Sequence, residues 1–328
     1  MSSHKIMVSR DKLNADYQNS LEDLMEKAWK TRVKYHVNTI AFAAPSPKYY
    51  EIENYKNDSN TFINVSVTGD KCALRCEHCK GNLLKSMHSA ESSNELISLG
   101  ESFVKKGCKG MLISGGADAN GEVPLKYVAS GIKELKRMGL KVIVHTGLIS
   151  EETARILKEC EVDQVLTDVI GDRKTAQKVY HLDKTPEYFG NALRIMVEAG
   201  LNIAPHIVIG LDYGRVLGEL EALYQVTNSN AQTIVLVVLN PLPNTPMSSI
   251  EPPQLGEVGK IIALARILSP KAKIMLGCAK PPKHKEIIER LALNAGVNAI
   301  AYPADETVSL AKDRNLHSYF SPLCCSLL

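Results

Sequence analysis

Three cysteines fall within eight residues in CALRCEHC (72–79), separated by three residues and then by two. Thiolates are soft donors that suit zinc, copper(I) and iron–sulfur clusters. A closed structural zinc site takes four ligands, as does a cluster that only passes electrons. Three thiolates on a four-iron, four-sulfide cluster instead leave one iron without a protein ligand. An open position lets a metal site bind and transform a small molecule. The same run fits a zinc site if His78 or a distant side chain completes the set.

A second group lies far along the chain, with Cys278 in KIMLGC and Cys324 and Cys325 adjacent in SPLCCSLL. Cys108 and Cys160 complete the eight. A chain of 328 residues needs no disulfide staples, so metal binding or catalysis is the better expectation for its cysteines.

The elements that must position these residues are legible as short β-branched runs, most of them closed by Gly or Asn. They are 63–69, 110–116, 141–147, 164–171, 202–210, 232–240, 273–278 and 299–304. Most are continuously apolar, as parallel strands covered on both faces should be. Helical patterns fill the gaps. Pro124 opens one, Ser150 is the expected N-cap of another, and Pro186 starts a third. This alternation predicts an α/β fold, a (β/α)8 barrel of the TIM type, with a doubly wound open sheet as the alternative. Residues 1–60 form an N-terminal extension with an amphipathic helix in NSLEDLMEKAWKTRVKYH. The barrel spans 61–315, and 316–328 is a tail folding toward the barrel mouth.

Barrel enzymes work at the C-terminal ends of their strands, which sorts the cysteines. Cys108 and Cys160 precede strands, at the bottom, and read as small buried hydrophobes. Cys72, Cys76 and Cys79 follow the first strand and Cys278 closes the seventh, all at the top. The tail can carry Cys324 and Cys325 to the same mouth, where Ser321 and Ser326 are candidate fourth ligands. A second iron–sulfur cluster is the reading this favours. The bland alternative is a tail pair that merely packs.

Hydrophobic residues make up 45% and charged residues 23% of the chain, and the net charge is only +3. Scattered basic residues give no nucleic-acid footprint, and no apolar run approaches a membrane span. MSSHKIMVSRDKLNADY lacks the apolar core of a secretion signal, so a cytoplasmic location is expected.

The CxxxCxxC run after strand one resembles the signature of the radical S-adenosylmethionine (SAM) superfamily, with His78 where an aromatic residue usually precedes the third cysteine. The resemblance implies a [4Fe–4S] cluster on Cys72, Cys76 and Cys79 whose open iron chelates SAM and cleaves it reductively to a 5′-deoxyadenosyl radical. It also implies contacts to SAM from Ser114, Gly115 and Gly116 in SGGAD, where the family often has a glutamate that is missing here. His78 and the HIVIGLDYG segment, through Ile207 and Gly210, fit along an adenine, and Asp168 fits a ribose. His145 and His206 either touch substrate or SAM or are satisfied core histidines.

The segments VSVTGDKCALRCEHCKGNLL, LISGGADANGEVPL, PHIVIGL, LGCAKP and the late CC together resemble the biotin synthase-like proteins that form two-protein lipoyl synthases. They are most similar to the partner making the second sulfur insertion. That implies an auxiliary [4Fe–4S] cluster on Cys278, Cys324 and Cys325 acting as sulfur donor. It implies as partners a lipoyl carrier protein or domain bearing an octanoyl-lysine, a second radical SAM subunit, and an electron donor such as ferredoxin or flavodoxin. No nucleic acid or membrane partner is expected. A single-cluster, biotin synthase-like rearrangement or cofactor-maturation enzyme is the alternative, and a zinc-stabilised binding protein the third reading.

Overall fold

A computed structural model describes residues 8–328. All eight runs form strands: β1 (Phe62–Ser66), β2 (Gly110–Ser114), β3 (Lys141–His145), β4 (Gln164–Asp168), β5 (Ile203–Ile209), β6 (Thr233–Val238), β7 (Lys273–Leu276) and β8 (Ala299–Ala301). They pair in sequence order and always in parallel. Most strands end before the apolar run that predicts them. The residues left over, such as Val67–Gly69 and Val169–Gly171, bend away as site loops.

The ladder is longer than eight. Thr39–Ala43 pairs beside β8, His317–Ser321 pairs beyond it, and His88–Ser89 adds to β1, giving an open sheet of 11 strands. Residues 39–43 and 317–321 fall in the segments that the sequence reading set apart as extension and tail. Turn residues flank them (Asn38 and Pro45, Asn315 and Pro322), but each is only five residues long and lies outside the strand–helix alternation. A small antiparallel hairpin, Glu51–Ile52 with Tyr55–Lys56, stands outside the sheet.

The sheet curls into a half-barrel of the TIM type. Phe62, Ile143, Leu166, Val235, Met275 and Ala299 come from strands spread along the ladder, yet they share one buried cluster inside the curl. Helices cover the outer face. Ser20 caps the expected N-terminal helix, Leu21–Tyr35, by accepting from Asp23 N at 3.1 Å. That helix buries Leu24 and Ala28 and packs on the helix Leu255–Leu268. Ser150 caps Glu151–Glu159 as predicted, accepting from Thr153 N at 3.2 Å. After Pro124 a 3-10 turn, Leu125–Val128, precedes the α-helix Ala129–Arg137.

The inner wall is asymmetric. On β1–β5 it carries polar groups, among them Ser114, His145, Asp168 and His206. The strand 39–43 and β8 present Ala41, Ala43, Ala299 and Ala301. Small residues leave room there, and the turn Cys325–Leu327 fills it, packing against Thr39–Ala43, β6, β7 and β8. Lys273, at the base of β7, donates to Leu328 O at 2.8 Å, so the tail runs down inside the curl. Among the described residues no helix is long and apolar enough to cross a membrane.

Candidate active site

The loop after β1 is wound tightly. Thr68 Oγ1 donates to Lys71 O (2.9 Å) and accepts from Gly116 N (2.7 Å), while Ala73 N donates to Ala117 O (2.9 Å). These bonds tie the cysteine loop to the SGGAD segment. Gly116 makes the approach possible: a Cβ there would lie 1.9 Å from Lys71 O and 2.6 Å from Cys72 Cα. Gly115 packs against Thr68, and Ser114 Oγ donates to His145 O at 3.1 Å. Asp118 accepts from Asn120 N and Glu122 N, so its carboxylate closes its own turn.

Cys76 is buried and Cys72 and Cys79 are half-buried. Arg75 and Lys80 flank Cys76–Cys79 at φ 43° and 47°, a left-handed backbone that costs energy outside glycine and clusters at functional sites. Cys76 and Cys79 shift each other in opposite directions. The bond from Cys76 holds the Cys79 thiol down at about 4, against burial and with help from His78. Cys76 is pushed up by the same bond and by burial. His78 Nδ1 is buried without a hydrogen-bond partner.

A strip of polar side chains crosses the mouth beside this loop. Tyr180 OH donates to Asp168 Oδ2 at 2.7 Å, and the Tyr180 ring lies 5.1 Å from that of His78. His145 Nε2 is 3.7 Å from Asp168 Oδ1, and the His145 and His206 rings meet edge to face at 5.7 Å. Asp168 is ringed by protein, yet water reaches 26% of its side chain, as suits a group lining a concave lumen. Burial alone would raise its pKa. The nearby His145 and His206 and the hydrogen bond from Tyr180 overcome that and hold the carboxyl well below its ordinary range. His206 is lowered to about 4 by burial and by His145.

Strand alternation decides which side chain of HIVIG faces inward. Ile207 is buried in the layer between sheet and helices, whereas His206 and Val208 take the lumen parity of Ala204. Gly210 sits at φ +84° against the ring of Pro253, 2.7 Å from where a Cβ would stand. Its N–H donates to Glu219 Oε1 at 2.7 Å.

The second cysteine group gathers under Tyr302. Cys278 is exposed to solvent yet ringed by protein, the same lumen-wall situation as Asp168. Burial and the neighbouring Cys324 raise its pKa. Cys324 is held down at about 6 by the bond from Cys325, against burial and with help from Ser326, whose Oγ donates to Cys324 Sγ at 3.4 Å. Cys325 is correspondingly pushed up. Tyr302, whose OH donates to Pro45 O at 2.8 Å, is raised first by burial and then by Cys278, Cys324 and Cys325. Ser321 Oγ accepts from Leu323 N, so its hydroxyl serves the turn.

Each group thus offers three thiols, one of them held low by its neighbour, and that soft donor set fits an iron–sulfur cluster. Among the described residues no three His, Cys, Asp or Glu side chains close on one single-ion position. Sequence reasoning missed Tyr180, Tyr302 and Lys280. Only the position of Lys280, two residues past Cys278 at a strand top, offered a signal.

No family model matches the chain. The biotin synthase of Ruthia magnifica subsp. Calyptogena magnifica is 29% identical over 176 residues, covering 52% of this chain and 53% of that protein. The biotin synthase of Bordetella avium (strain 197N) is 27% identical over 194 residues, 55% of each. The chain spans about half the length of these curated relatives. Among solved structures, methylornithine synthase (PylB) matches with a TM-score of 0.66 at 16% identity, over 96% of this chain and 95% of that one. The chain is thus similar in sequence to biotin synthases over about half its length, and its fold is that of methylornithine synthase.

Proposed function

We propose that the chain is a radical SAM enzyme of the biotin synthase-like branch and, within it, a sulfur insertase that serves as a lipoyl synthase component. It adds sulfur to a protein-bound octanoyl chain that already carries one sulfur. Cys72, Cys76 and Cys79 would hold a three-thiolate cluster, which would supply the electron for reductive cleavage of SAM. Cys278, Cys324 and Cys325 would hold an auxiliary cluster, which would supply sulfide. Gly115 and Gly116 bring backbone close to the SAM amino end, and Asp168 offers an acceptor oxygen to a ribose hydroxyl. The apolar inner wall, with Val235 and Val237, suits an aliphatic chain and excludes water from it.

The observation that carries this reading is that Cys278 is brought together with Cys324 and Cys325 beside Tyr302 although it lies far from them in sequence. Similarity to biotin synthases supports sulfur transfer. A single-cluster, biotin synthase-like radical enzyme is the second reading, and the similarity to biotin synthases fits it at least as well.

Iron and acid-labile sulfide, measured after anaerobic preparation, separate the two. A Cys72/Cys76/Cys79→Ala variant is expected to keep about four of each, the content of one [4Fe–4S] cluster. Loss of nearly all iron in that variant, with only one cluster in the wild type, would establish the single-cluster reading instead.

A further inference from the structure

The segment Val179–Leu182, which ends the helix Arg173–Val179, is clamped to the cysteine loop at several points. Glu77 N donates to Val179 O at 2.8 Å, and His181 Nδ1 pairs with Leu74 O at 2.6 Å. His181 Nε2 lies 3.0 Å from Glu77 Oε1. His181 holds φ +59° to make this reach, a conformation that needs compensating contacts outside glycine. Between these two clamps sits Tyr180, its ring against His78 and its hydroxyl on Asp168 Oδ2.

We infer that Tyr180 is a positioning residue for SAM, setting the Asp168 carboxylate so that one oxygen faces the lumen. This rests on the reading of Cys72, Cys76 and Cys79 as the ligands of a SAM-cleaving cluster. A free aspartate turns about χ2 and offers either oxygen in many directions. Here Oδ2 is committed to Tyr180, and Oδ1, on the His145 side, is left to accept from a ligand hydroxyl. Because Tyr180 also braces the loop through His78, the acceptor and the cluster loop are held in one frame. Tyr180 touches neither reacting atom. It acts through Asp168.

The test is Tyr180→Phe, which keeps the ring against His78 and removes only the hydroxyl. Iron and sulfide should stay at wild-type levels. The dissociation constant of SAM, titrated by the change it causes in the electron paramagnetic resonance spectrum of the reduced cluster, should rise about tenfold. That factor corresponds to about 1.4 kcal/mol, ordinary for a hydrogen bond to a charged group. At saturating SAM the spectrum should match wild type. In an Asp168→Ala background, adding Tyr180→Phe should change nothing further.

Unchanged affinity in the single variant, or an equal loss in the Asp168→Ala background, overturns the inference. Loss of iron from Tyr180→Phe overturns it as well, by making Tyr180 a residue of loop folding. If SAM leaves the wild-type spectrum unaltered, the cluster reading itself has failed. That failure is seen before any variant is made.

Discussion

Lys280 Nζ lies 3.4 Å from Glu289 Oε1, with the two side chains only 4% and 0% exposed. Lys280 also donates to Gly277 O and Ala301 O, and Glu289 Oε2 accepts from Ala304 N (2.8 Å) and Thr307 Oγ1 (2.7 Å). One buried ion pair therefore joins the loop of Cys278 to the top of β8 and to the helices Lys285–Asn294 and Asp305–Asp313. Breaking a buried pair from one side strands a charge and costs about 3–5 kcal/mol, whereas replacing both partners is often neutral. Lys280→Met is expected to lose stability of about that size in urea unfolding, and Lys280→Met/Glu289→Leu to recover most of it. A double variant no more stable than the single one would show that the pair is not what holds this loop.

Gly116→Ala places a methyl group inside the Lys71–Cys72 backbone. Overpacking of this kind typically costs about 1–3 kcal/mol, and here the strain is relieved by moving the cysteine loop. The expected outcome is a folded protein that has lost most of the iron proposed to bind at Cys72, Cys76 and Cys79. Iron analysis beside a circular-dichroism melt checks it, and full iron content in the variant would contradict the role given to this glycine.

Alanine at Cys278, Cys324 or Cys325 should leave SAM cleavage working and stop formation of the sulfur-bearing product. Product analysis by mass spectrometry and 5′-deoxyadenosine release read the two halves separately. Lost cleavage with the first cluster intact counts against two clusters with separate tasks.

Glu219 is pushed up to about 7 by burial, against the backbone bonds it accepts from Gly210 N (2.7 Å) and Leu217 N (2.8 Å). Its ordinary value is 4.5, so between 4.5 and 7 the folded chain binds more protons here than the unfolded chain. This contribution is present below 4.5 and is lost as pH rises through 7. Glu219→Gln is neutral throughout, so relative to wild type it should gain stability as pH goes from about 5 to 8. Parallel stability–pH curves for the two proteins would remove Glu219 as a titrating group. Taking the difference between them cancels the opposite trend from His36 and His206, both lowered to about 4.

The sequence by itself determined the order of the eight strands and helices, because apolar runs and caps act within a few residues. It also determined that Cys72, Cys76, Cys79 and Cys278 lie at strand tops, since that follows from order along the chain. Tertiary structure decided the rest. Strands 39–43 and 317–321 join the sheet only because neighbours far along the chain offer edges. Ile207 faces the helices and His206 the lumen, since strand parity is set by how the whole sheet curls. Tyr180 meets Asp168 and Lys280 meets Glu289 across loops that no local period links. Contacts between distant segments depend on where the curl brings them, and that position is a property of all the strands together.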